Sequence, residues 1–76
     1  MLRLRELLAL FEGVNNIEIY GKGGLLYGTS GLLFDDTKEK ILESVDYQAL
    51  FANHFVERIG LSTDSRIRPI LKIYID

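Results

Sequence analysis

The sequence predicts an α+β fold, a two-layer sandwich in the order α-β-β-α-β-β, with about four antiparallel strands and two helices on one face. Three observations carry this expectation. Leu4, Leu7, Leu8 and Phe11 recur at the spacing of one helical face. Asn16–Tyr20 alternates isoleucine with polar residues just ahead of a glycine-rich stretch. Ile70–Ile75 reads as a strand that places Leu71, Ile73 and Ile75 on one side.

Residues 2–11 are expected to be helical, because Leu, Arg, Glu and Ala all favour the helix, and Gly13 is placed to end it in the left-handed conformation. Asn16–Tyr20, Gly21-Lys22-Gly23-Gly24 and Leu25-Leu26-Tyr27 then read as a β-hairpin. A turn at Lys22-Gly23 would pair Tyr20 with Leu25, Ile19 with Leu26 and Glu18 with Tyr27; a four-residue loop is the alternative, since lysine suits a positive φ poorly. In that register Ile17, Ile19 and Leu26 share the core side, and Glu18, Tyr20, Leu25 and Tyr27 share the other.

Gly28-Thr29-Ser30-Gly31 signals a loop, and Leu32-Leu33-Phe34 is expected to cross back over the core. Asp36 reads as a helix N-cap, with Glu39 completing a capping box. Ile41, Leu42 and Val45 form that helix's apolar stripe, and Asp46 is placed to cap a second short turn over Tyr47–Ala52. The spacing leaves open whether residues 37–52 form one helix or two. The last third reads as a second hairpin, in which Phe55, Ile59 and Leu61 alternate with Val56, Arg58 and Gly60, the turn lies at Ser62–Ser65, and Pro69 marks a strand start or an edge.

The chain's 76 residues are enough for one domain, residues 1–76, and 47% apolar with 26% charged residues is an ordinary globular balance. Nine basic against eleven acidic side chains give a net charge of −2, too little positive charge for binding that rests on phosphate neutralisation. The charge is unevenly spread: residues 35–57 carry −4 and residues 58–76 carry +2, which reads as an acidic helix beside a slightly basic hairpin. With no cysteine there is no disulfide framework, thiol nucleophile or thiolate metal site, and the cytoplasm is the expected compartment. Arg3, Arg5 and Glu6 interrupt the apolar N-terminus, so no secretory leader or membrane span is expected.

Motifs that carry chemistry fail on inspection. Gly21-Lys22-Gly23-Gly24 lacks the phosphate-loop spacing and is followed by a strand rather than a helix. His54 is the only histidine, and with Glu57 three residues on it would lie on the opposite face of a strand. Ser30, Ser44, Ser62 and Ser65 all lack a nucleophile-elbow context. Asp35, Asp36 and Glu39 are accounted for by capping and the helix dipole. No catalytic residue, metal ligand or cofactor is therefore expected.

Tyr20, Tyr27 and Tyr74, with Arg58, Arg66, Arg68 and Lys72, could form an aromatic and basic surface. Tyrosine and arginine dominate protein–protein hot spots, and aromatics beside cations also hold single-stranded nucleic acid. Tyr74, Lys72 and Ile70 share the face of the last strand opposite Leu71, Ile73 and Ile75, which makes that face the best contact candidate. The candidate interaction residues are Tyr20, Tyr27, Arg66, Arg68, Lys72 and Tyr74.

Leu4-x-Glu6-Leu7-Leu8, Ile17-x-Ile19-Tyr20 and Leu25-Leu26-Tyr27-Gly28, with the terminal Leu71-Lys72-Ile73-Tyr74-Ile75, resemble short uncharacterised proteins from phages and mobile elements of low-GC Gram-positive bacteria. The likeness covers residues 4–28 and the last strand, and it rests on fold signals. It implies a small cytoplasmic accessory protein of unknown function and carries over no site residues. The sequence thus leads to a non-enzymatic domain that binds another protein, a second copy of itself included. The alternative is nucleic-acid binding through the C-terminal basic hairpin.

Overall fold

The computed structural model describes residues 1–12, 16–21 and 31–76. Its order is α1 (Leu4–Leu10), β1 (Asn16–Tyr20), β2 (Leu32–Asp36), α2 (Lys38–Glu43), a π-helical turn (Tyr47–Phe51), β3 (Val56–Thr63) and β4 (Pro69–Ile75). The mixed α+β class is as the sequence predicts.

Helix α1 forms where the leucine periodicity places it, and buries Leu4, Leu7 and Leu8. Its first free N–H groups do not face solvent. Leu4 N–H donates to the His54 carbonyl (2.8 Å) and Arg5 N–H to the Ala52 carbonyl (2.9 Å), so a distant segment satisfies donors that a helix start leaves open. The Glu6 carboxylate accepts from Arg3 N–H at 2.9 Å, and the Lys38 ammonium donates to the Phe11 carbonyl beyond the other end.

The strands form one sheet in the order β2-β1-β4-β3. The β1–β2 and β4–β3 pairs are antiparallel, but the central β1–β4 pair is parallel, which corrects the expectation of an all-antiparallel sheet. The partner of β1 is also corrected. Residues 32–36 pair with it, Ile19 opposite Phe34 and Glu18 opposite Asp35, where the sequence reading assigned residues 25–27 and made Leu32–Phe34 a crossing segment. The Lys22-Gly23 turn, the Leu25–Tyr27 strand, Ser30 and the Gly13 cap lie outside the described residues.

Gly21 and Gly31 form the neck of this first hairpin, Gly21 N–H donating to the Gly31 carbonyl at 2.9 Å. Gly31 is buried with φ at 67°, a conformation that L-residues avoid. A Cβ on Gly21 would come within 2.9 Å of both Ile75 and Leu33 side chains.

Asp36 ends β2 and does not cap α2. Thr37 is the N-cap, its hydroxyl accepting from Lys40 N–H, while the Asp36 carboxylate accepts from Thr37 N–H. The helical stretch breaks at Ser44, so residues 37–52 form two pieces. Ser44, not Asp46, serves the second: its hydroxyl accepts from Tyr47 N–H at 3.3 Å, and Asp46 makes no side-chain cap bond. Ala52 N–H reaches back five residues to the Tyr47 carbonyl, and the Phe51 and Tyr47 rings both meet Phe34 edge-on.

The second hairpin is as expected, with its turn displaced. β3 continues through Thr63, and Asp64–Arg68 make the turn. Pro69 opens β4, a central strand, at the one position where its missing N–H is tolerated. The core is a single cluster of Leu4, Leu7, Leu8, Ile17, Ile19, Ile41, Tyr47, Leu71, Ile73 and Ile75. Each fully buried Leu or Ile contributes about 1.5–3 kcal/mol. The helices pack on one sheet face over β1 and β4, where Ile59 and Leu61 of β3 stay exposed; among the described residues no helix covers the other face.

Candidate interaction surface

Strand alternation sends Asn16, Glu18 and Tyr20 of β1 and Ile70, Lys72 and Tyr74 of β4 to the uncovered face. The β1–β4 register places Tyr20 beside Tyr74 and Glu18 beside Lys72. The outer strands add Arg58 beside Tyr74, Gly60 beside Lys72, and Asp35 beside Glu18.

Across the sheet, Tyr20 and Tyr74 stack with centroids 5.0 Å apart and planes inclined by 17°. The Arg58 guanidinium lies over the other side of Tyr74, 4.1 Å from its centroid. Tyr74 is therefore sandwiched between a ring and a cation, an arrangement that adds aromatic and cation–π attraction. The Tyr20 hydroxyl donates to Glu18 at 2.7 Å. That hydrogen bond, with burial and the carboxylate's charge behind it, pushes the phenol up to about 12. Lys72 lies 3.7 Å from the same Glu18 oxygen, and Asn16 donates its amide to Asp35.

The expected surface residues thus divide. Tyr20, Lys72 and Tyr74 come together, and Tyr27 lies outside the described residues. Arg66 and Arg68 are in the β3–β4 turn, at the other end of β4 and roughly 20 Å along it from Tyr74. There Asp64 organises the turn: its carboxylate accepts from Arg66 N–H (2.8 Å), Arg68 N–H (3.0 Å) and Arg68 Nε (2.7 Å). The Arg68 N–H chiefly, joined by that of Arg66 and the Arg68 side chain, holds the Asp64 carboxyl below its ordinary range, and desolvation opposes them. The cation of Arg68 is thereby paired. The seat of Arg58 on Tyr74 needed the true hairpin register, which a turn at Ser62–Ser65 would have shifted. Glu18 was already assigned to this face by alternation, but Asp35 was hidden by its resemblance to a helix cap.

A second site gathers His54. Its Nδ1 lies 3.1 Å from both the backbone carbonyl and a carboxylate oxygen of Asp76, so the ring donates from Nδ1. The same carboxylate accepts from Phe55 N–H at 3.2 Å. A cavity of about 600 Å³ opens here, lined by Leu33, Phe51, Asn53, Phe55 and Ile75 with this pair. The contact joins the start of β3 to the end of β4. Among the described residues no three His, Cys, Asp or Glu side chains group to hold a metal ion. No helix among them is long and apolar enough to cross a membrane.

No protein-family model, curated protein or solved structure matches the chain.

Proposed function

We propose that this chain is a non-enzymatic accessory domain that binds another protein through its open sheet face. The sandwiched Tyr74 carries the reading. Base stacking needs a free aromatic face, and both faces of Tyr74 are occupied, by Tyr20 and by Arg58. What remains is a cluster of two tyrosines and an arginine, residue types enriched among protein–protein hot spots.

The electrostatics support the same choice. On this face Arg58 and Lys72 are matched by Glu18 and Asp35, and in the turn Arg68 is matched by Asp64. Among the described residues the turn keeps one cation in excess, Arg66, which is far short of the run of positive charge that binding a phosphate backbone requires. The working compartment we assign is the cytoplasm, since small exported domains are commonly stapled by disulfides and this chain has no cysteine.

The test is capture from host lysate on the tagged chain, with and without nuclease, in parallel with Tyr74→Ala. Protein retained through nuclease and lost with Tyr74→Ala is the expected result. Retention that disappears with nuclease, joined to oligonucleotide binding that falls steeply with salt and with Arg66→Ala, would transfer the function to the basic turn and overturn the proposal.

A further inference from the structure

Where the strands are in register, the charges on the open face are segregated by strand: the β2–β1 half carries Asp35 and Glu18, and the β4–β3 half carries Lys72 and Arg58, with the exposed Glu57 set apart at the β3 bulge. Between the halves stand Tyr20 and Tyr74. A face of this kind is complementary to itself in one orientation. We infer that the partner of the open face is a second copy of the chain, packed sheet to sheet about a two-fold axis that runs parallel to the strands between β1 and β4. This inference rests on the protein-binding reading above and names its partner.

The choice of axis follows from the charges. A two-fold perpendicular to the strands, in the plane between the sheets, would lay β3 over the partner's β3 and cations over cations. The strand-parallel axis instead lays the β4–β3 half of one copy over the β1–β2 half of the other. Lys72 of one copy then faces Glu18 of the second, and its existing ion pair is loose at 3.7 Å, so the ammonium can be shared. The Tyr20–Tyr74 stacks meet at the axis, where interface hot spots concentrate. Aligned sheets pack about 10 Å apart, a gap that side chains of this length fill from both sides.

Gly60 completes the fit. It occupies the β3 position in the row of Asp35, Glu18 and Lys72, and a side chain there would meet nothing within 4 Å. Opposite Asp35, the second copy therefore presents a vacant position into which its Arg58, one row away, can lean. Asp35 is exposed, and its other carboxylate oxygen is not used by Asn16, so among the described residues it keeps lone pairs for that guanidinium.

Four strands by about five residues give a face of roughly 19 by 17 Å, or about 300 Å² of flat area per copy. That is below the size of a permanent interface, so the dimer is a weak and reversible one, with its charges setting register more than affinity.

The experiment is sedimentation of the intact chain from micromolar to millimolar concentration, for wild type, Arg58→Glu, Asp35→Arg and an equimolar mixture of the two variants. Wild type is expected to dimerise, and each variant alone to weaken association by about tenfold or more. The mixture is expected to recover it. In the mixed pair, the new carboxylate of the Arg58→Glu chain meets the new guanidinium of the Asp35→Arg chain, and the native Asp35 of the first meets the native Arg58 of the second. Recovery on mixing also shows that both variants are folded. A wild type that stays monomeric, variants that still associate, or a mixture that does not recover would each overturn the inference. The lysate capture separates the two levels: a monomeric chain that retains a protein in a Tyr74-dependent manner refutes self-pairing and leaves the protein-binding reading intact, whereas a monomeric chain whose capture does not depend on Tyr74 refutes both.

Discussion

Tyr20 and Tyr74 stand side by side because the first and last strands of the chain are parallel neighbours at the centre of the sheet. The stack joins chain segments far apart in sequence, and the Arg58 guanidinium extends it onto a third strand.

Tyr74→Ala removes the ring stack and the cation–π contact together. The loss is expected to be about 1–3 kcal/mol, the sum of one aromatic pair and one partly exposed cation–π contact with the buried area that goes with them. Urea denaturation with an unchanged slope measures it. Tyr74→Phe, which keeps both contacts, is expected to cost less than half as much.

Gly31 and Gly60 are expected to respond oppositely to alanine. At Gly31 the positive φ and burial make Gly31→Ala destabilising by about 1–2 kcal/mol. At Gly60 there is open space and no positive φ, and alanine is the better strand residue, so Gly60→Ala is expected to be neutral or stabilising by up to about 1 kcal/mol. Thermal melts of the two variants decide it; equal losses would contradict both assignments.

The Tyr47 hydroxyl is buried without a hydrogen-bond partner, and burial pushes its ionisation up. Tyr47→Phe keeps the ring's edge contact with Phe34 and removes the unsatisfied group. The variant is expected to be as stable as wild type or up to about 1 kcal/mol more so. In contrast, Ile73→Ala in the same core is expected to cost about 2–5 kcal/mol through lost transfer energy and a cavity.

Stability is expected to fall on the alkaline side. Tyr20 ionises near 10 when unfolded and at about 12 in the fold, held up first by its hydrogen bond to Glu18. The folded state thus binds the proton more tightly, and this contribution is complete below pH 10 and is lost as the pH rises towards 12. Melting temperature followed across that window should decline in wild type and less steeply in Tyr20→Phe. A Tyr20→Phe curve parallel to wild type would remove the role given to the Glu18 bond.

What the residue pattern determined is local. Leucine spacing made α1, alternation assigned Ile17 and Ile19 to the core side and Tyr20, Lys72 and Tyr74 to the other, and Pro69 marked the start of β4. Each rests on a repeat of two or 3.6 residues that the chain carries in itself. Tertiary structure decided which strands pair. Asp35 and Asp36 looked like the opening of a helix, yet they end β2, an edge strand whose outer side accommodates charge. The parallel β1–β4 contact has no turn to announce it; it forms because Ile17, Ile19, Leu71 and Ile73 bury the most apolar surface when the two strands lie adjacent under the helices. The Arg58–Tyr74–Tyr20 stack and the His54–Asp76 contact follow from that pairing and from a turn held by Asp64, since neighbours across strands are set by register, which no single stretch of sequence contains.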